Sequence, residues 1–306
     1  MKLGLLTACL PGSTLGEIAP WAAEHGYRGL EVACWPRTPG REWEASHIDV
    51  RDFDAAERER VTSTMAAAGL EVSALAYYEN NLDSDLGRRA EIHEHLRSCI
   101  EAASALGCGL VGTFVGRDVG LSVSENLRLA ERVLPPLVDH AERHGVRLVI
   151  ENCPMEGWHR DGYPANLAYS PELWQWLSGI GLYLNYDPSH LVWLGIDPVE
   201  ALRPVVDQVL HVQAKDVQVD AAARHAYGVF GRVIDRPSPW ESGWWRYRIP
   251  GLGEVDWRRV VDTLYEGGFD GFVSVEHEDP VWSGTPDRVR QGLVIAQRTL
   301  APLLVA

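Results

Sequence analysis

Eight times along its 306 residues this chain passes from a short β-branched run to a longer stretch of helical periodicity. The strand-like runs fall at 3–9, 29–35, 70–77, 110–115, 147–153, 182–187, 209–216 and 271–278. Helical patterns occupy 14–25, 54–68, 86–106, 123–144, 171–177, 198–206, 256–266 and 286–300. Ser170 before Pro171 and Asp197 before Pro198 read as helix starts, and Gly26, Gly69, Gly107, Gly145 and Gly267 as helix ends. Eight βα units in series predict one α/β domain over 1–306, a closed (β/α)8 barrel ringed by helices. An open doubly wound sheet would want a glycine-rich phosphate turn after an early strand, and no GxGxxG occurs in the chain.

Composition narrows the function classes. With 46% apolar and 23% charged residues the chain reads as an ordinary soluble globular protein. A net charge of −15, only two lysines (Lys2 and Lys215) and no basic run argue against a nucleic-acid partner. No apolar run approaches the length needed to span a membrane, so no membrane partner is expected. The apolar stretch before Cys9 is too short for a signal segment and reads as the first strand. Five cysteines, odd in number and without a CxxC pair, point to reduced thiols and a cytoplasmic location. Twelve tryptophans offer flat faces that suit sugar rings.

The last four strands end in residues that packing does not call for: VIENC with Glu151, YLNYDPSH with Asp187 and His190, LHVQAKD with His211, Gln213 and Lys215, and VSVEHE with Glu276. A run buried on both faces gains nothing by finishing in a carboxylate, because an unpaired buried charge is costly. In a barrel these endings share one rim, where the chemistry of this architecture sits. Carboxylate and amide oxygens are hard donors suited to Mg²⁺ or Mn²⁺. Side chains alternate along a strand, so His211, Gln213 and Lys215 share one face. Cys153, two residues past Glu151, either lines the site or is a small buried hydrophobe.

Two long connections complete the picture. Residues 35–53 carry Trp35, Trp43 and His47; residues 217–253, after the seventh strand, carry Tyr227, Trp240, Trp244, Trp245, Tyr247 and five arginines including Arg248. Both are read as walls of a substrate pocket, the second as an insertion or lid. Exposed aromatics and arginines also mark interfaces, so a homo-oligomer or partner-subunit arm is the lesser, competing reading of 217–253.

The series IEN, DPSH, HVxxKD, PGxGxxDW at 250–257 and VSVEHE resembles the sugar phosphate isomerase/epimerase superfamily, the xylose isomerase-like TIM barrels. That resemblance implies a divalent metal on Glu151, Asp187, a seventh-strand ligand and Glu276. It implies acid/base roles for Glu151 and Glu276, and a substrate contact for His190. Relatives usually carry HxH on the seventh strand with the second His as ligand; here Gln213 holds that position. The missing imidazole favours Mn²⁺ or Mg²⁺, with Co²⁺ and Zn²⁺ as the other candidates. His211 then becomes a supporting or substrate-binding group, and Lys215, Arg248 and Trp35 are expected to meet substrate. The implied activity is a metal-dependent isomerase or epimerase acting on a small carbohydrate, a sugar or keto-sugar, through an enediolate-type proton transfer. The alternative is a lyase or dehydratase that eliminates a β-substituent from a keto-sugar or keto-glycoside. An abasic-site endonuclease is disfavoured by acidity and by the absent seventh-strand His. A non-catalytic sugar-binding barrel is disfavoured by the presence of both glutamates.

Overall fold

The computed structural model describes residues 1–37, 45–155, 164–236 and 242–305; Trp43 and Trp240, expected in the pocket walls, lie outside the described residues. Eight parallel strands close into a barrel: Lys2–Leu6 (β1), Gly29–Ala33 (β2), Glu71–Ala76 (β3), Leu110–Thr113 (β4), Arg147–Glu151 (β5), Tyr183–Tyr186 (β6), Val209–Ala214 (β7) and, after the hairpin below, Phe272–Val275 (β10). Closure is made by β1 against β10, with Lys2 opposite Phe272 and Leu5 opposite Val275. The approach there is close: a Cβ on Gly29 would stand 2.4 Å from the Phe272 ring and 2.9 Å from the Glu71 carbonyl. Only glycine fits at that point.

The helices on the outside are Leu15–Glu24 (α1), Ala55–Ala68 (α2), Leu86–Leu106 (α3), Val123–Val133 (α4), Pro135–Arg143 (α5), Pro171–Ser178 (α6), Pro188–Leu194 (α7), Pro198–Leu202 (α8), Ala221–Tyr227 (α9), Trp257–Glu266 (α10) and Pro286–Leu300 (α11). All but α9, which buries none of its residues, bury apolar side chains; α11 buries Val289, Leu293, Ala296 and Leu300 at helical spacing. At α1 the start is fixed by a capping box, in which Glu17 accepts from the Thr14 backbone N–H at 2.7 Å.

Two expectations are corrected. The single helix expected over 123–144 is two, α4 and α5, because the Pro135–Pro136 pair supplies no backbone donors and resets the helix at Leu134. The connection after β7 carries secondary structure among its described residues: Asp216–Val219 (β8) pairs antiparallel with Trp245–Arg248 (β9), and α9 lies between them. This hairpin stands at the carboxyl end of β7 and packs Val217 and Trp244 with Trp193 of α7 in a small separate cluster.

A candidate active site at the barrel mouth

Local rules place each side chain at the rim. Asn152, just past β5, donates to the Asp187 carbonyl at 2.8 Å and accepts from the Asp187 N–H at 2.7 Å, continuing the β5–β6 pairing beyond both strands. Asp187 is the N-cap of α7, taking the Ser189 N–H at 2.8 Å, with Pro188 in the first helical position. That start turns His190 back over the rim, its Nε2 2.9 Å from Glu151 Oε1 and 3.2 Å from Asp187 Oδ2. Cys153 lies in this corner as well, its sulfur within 4.8 Å of ligand atoms of Glu151 and His190.

Lys215, between β7 and β8, projects its ammonium into the middle of the acidic residues. Nζ is 2.9 Å from Glu276 Oε2, 3.1 Å from Glu278 Oε2, 3.3 Å from Asp187 Oδ2 and 3.8 Å from Glu151 Oε1. Its side chain is 2% exposed. From the hairpin, Tyr247 closes over it: the ring centroid is 4.5 Å from Lys215 Nζ, and the hydroxyl is 3.0 Å from His190 Nδ1.

A second polar layer fills the barrel interior. Tyr78 donates to Glu31 Oε1 at 2.5 Å and accepts from Asn185 Nδ2 at 2.6 Å. Gln213 donates its amide to Glu31 Oε1 at 3.2 Å and to Tyr78 Oη at 3.1 Å. His211 meets the Asn185 carbonyl oxygen through Nδ1 at 2.9 Å and Ser73 Oγ through Nε2 at 3.3 Å. Since Asn185 Oδ1 only accepts there, Nδ1 carries the proton and Nε2 accepts from Ser73.

Three residues named for substrate contact have protein partners. His211 is fully buried with both ring nitrogens engaged, the supporting one of the two roles expected for it. Arg248 is tied to Asp279 at 2.8 Å and to Gln218 at 2.8 Å. Trp35 is buried and packs on Tyr77 and Tyr78 at centroid distances of 6.3 and 6.1 Å. Conversely Glu31 and Tyr78 join the site without having been singled out from the sequence. Glu31 carried the same signal as the others, an acid inside the apolar run GLEVA.

The charges are strongly coupled. Burial opposes ionisation of Asp187, yet the adjacent His190 and Lys215 hold it below the usual carboxylate range. Glu276 is driven well upward, by burial first and then by Glu151, Glu278 and Asp187, against the pull of Lys215. Burial pushes Glu31 up to about 7, Tyr78 working against it, and pushes His211 down to about 3, keeping that ring neutral. His190 is raised despite burial, with Cys153, Tyr247 and Asp187 as the favouring neighbours.

The donor set suits a divalent cation. Glu151, Asp187 and Glu276 each offer an oxygen within 4.8 Å of the others. Gln213 Oε1 is a buried acceptor without a hydrogen-bond donor, while Asp187 Oδ2 meets only the charged or ring nitrogens of His190 at 3.2 Å and Lys215 at 3.3 Å. Hard oxygens in excess over local positive charge are what Mg²⁺ or Mn²⁺ takes. Glu151, Asp187 and Glu276 would hold the ion, with Gln213 Oε1 as a further neutral oxygen that has no donor.

Comparison with known proteins agrees with this architecture. Residues 19–297 match the xylose isomerase-like TIM barrel family, and the chain belongs to it. Inosose dehydratase of Clostridium tetani is 30% identical over 102 residues, about a third (32%) of each chain. Among solved structures, the 3-keto-D-glucoside 4-epimerase YcjR from E. coli superposes with a TM-score of 0.69 at 15% identity, covering 99% of this chain and 98% of that one. The IolI protein with a bound zinc atom gives a TM-score of 0.70 at 18% identity, covering 99% and 96%. Proteins named as an epimerase and a dehydratase are thus among those this chain is similar to.

Proposed function

We propose that the protein is a divalent-metal-dependent isomerase or epimerase that moves a proton at a carbon next to the carbonyl of a sugar or keto-sugar. The observation that carries this reading is the meeting of Glu151, Asp187 and Glu276 with His190 and Lys215 at the carboxyl ends of the barrel strands. A bound metal would supply polarisation of the carbonyl and stabilisation of the developing enediolate charge. The chain's own groups supply the proton chemistry. Glu276, across Lys215 at 2.9 Å, is the partner acid that returns a proton. Glu151 is the acceptor, aimed by His190 at 2.9 Å, and His190 is in turn held by Tyr247. Tyr247 and the hairpin behind it cover the site and limit water.

Incubation of a keto-sugar panel with the Mn²⁺-loaded protein in D₂O tests this. A true substrate acquires deuterium at the carbon beside its carbonyl as it turns over. Turnover that leaves both this carbon and a carbon-labelled control unexchanged counts against the reading. The inosose dehydratase similarity favours a second outcome from the same intermediate, expulsion of a β-hydroxyl. An unsaturated product absorbing in the ultraviolet would identify that outcome.

A further inference from the structure

Lys215 stands where a metal would have to be approached. Its Nζ lies 2.9 Å from Glu276, 3.3 Å from Asp187 and 3.8 Å from Glu151, the three carboxylates whose oxygens gather within 4.8 Å of one another. A divalent ion needs those same oxygens at about 2.0–2.6 Å. An ammonium hydrogen-bonded to Glu276 and ion-paired with the other two competes for the oxygens an ion would take and stands within a few ångströms of it. Two cations at that separation in a buried site repel strongly.

The surroundings offer the lysine a second seat. Glu278 Oε2 is 3.1 Å from Nζ, lies outside the trio, and belongs to a side chain 27% exposed. The Tyr247 ring, 4.5 Å away, presents its face to the ammonium. A four-carbon stem can swing its charge from one carboxylate to another without backbone movement. Lys2, the only other lysine in the chain, is far from this chemistry and pairs with Glu71 at 2.5 Å.

We infer that Lys215 is a resident counter-ion of the carboxylate trio, which an entering divalent metal displaces onto Glu278 beneath Tyr247. The lysine keeps the metal-free site folded by neutralising its acids, and it sets the threshold concentration at which metal enters. This rests on the metal-dependent reading of the site.

Having only two lysines makes the test direct. Protein labelled with ¹³C at lysine Cε gives two side-chain signals, and Lys2→Arg assigns them. With Mg²⁺ saturation followed by calorimetry on the same sample, the Lys215 signal is expected to move while that of Lys2 stays. In parallel, Lys215→Met is expected to bind Mn²⁺ at least ~10-fold more tightly than wild type, since a like charge a few ångströms from the ion has gone. Lys215→Gln serves if the methionine variant does not fold, and the labelling arm needs neither. Metal binding with an unmoved Lys215 signal, or equal or weaker Mn²⁺ binding by the folded variant, overturns the inference and leaves the metal reading standing. Absence of binding heat in wild type and variant alike removes both.

Discussion

Among single residues, Glu276 has the sharpest consequence. Glu276→Gln keeps the side-chain shape and an oxygen donor but cannot exchange a proton. Turnover is expected to fall by roughly 10²–10⁴, the usual worth of a positioned acid or base. Calorimetry should still find a bound Mn²⁺; a variant turning over at wild-type rate would reassign the proton donor. Glu31 makes a different prediction, about stability. Its folded pKa of about 7 lies above the ordinary carboxylate value of 4.5, so between those pH values the folded chain keeps a proton that the unfolded chain has lost. Stability therefore falls as pH rises through this window and levels off above it, by up to about 3 kcal/mol from this group. Urea unfolding of metal-stripped protein at pH 5 and pH 8 should show wild type losing more than Glu31→Gln. Identical losses would mean that Tyr78 and Gln213 stabilise an ionised Glu31.

At the scale of elements, the turn after β9 shows what the KD and PGxGxxDW motifs are for. Asp216 Oδ1 accepts from Val217 and Val255, and Oδ2 from Gly251 and the Trp257 indole, so one buried carboxylate folds 250–257 against the root of the hairpin. A Cβ on Gly253 would fall 2.2 Å from Asp216 Oδ1 and 2.4 Å from the Val217 carbonyl. Gly253→Ala is therefore expected to cost roughly 2 kcal/mol or more in denaturant unfolding, a value typical of forced clashes on backbone and buried polar groups. A neutral effect would show that this turn can open. The eight barrel strands and their helices were legible because periodicity and punctuation are local. The α4–α5 break was written in Pro135–Pro136 but masked by an apolar pattern that runs through both helices. The β8–β9 pairing was not legible: DVQV and WRYR are four residues each, polar-rich, and separated by 25 residues that carry no hairpin turn signal.

For the molecule as a whole, the legible part of the site was its set of strand-end acids, since a buried charge without a packing reason is visible in one dimension. The central place of Lys215 and the interior layer of Glu31, Tyr78 and His211 depend on barrel register and side-chain reach, which no local pattern encodes. The collective prediction is metal dependence: dialysis against a chelator should abolish turnover, and Mn²⁺, Mg²⁺ or Co²⁺ should restore it. Full activity in protein shown by elemental assay to be metal-free would remove the metal from the reaction. The hairpin adds a consequence for how such an enzyme can diversify. Asp216 and Arg248 stand opposite each other at its first pair, so the segment leaves and re-enters the barrel at neighbouring points. Tyr247, one residue from that root, is its contact with His190 and Lys215, while Val229, Phe230, Val233 and Ile234 near the tip are exposed. Lengthening a loop whose ends are already joined costs only logarithmically in entropy. The tip can therefore be exchanged, shortened or lengthened as a cassette while the groups at the barrel mouth beneath keep their geometry.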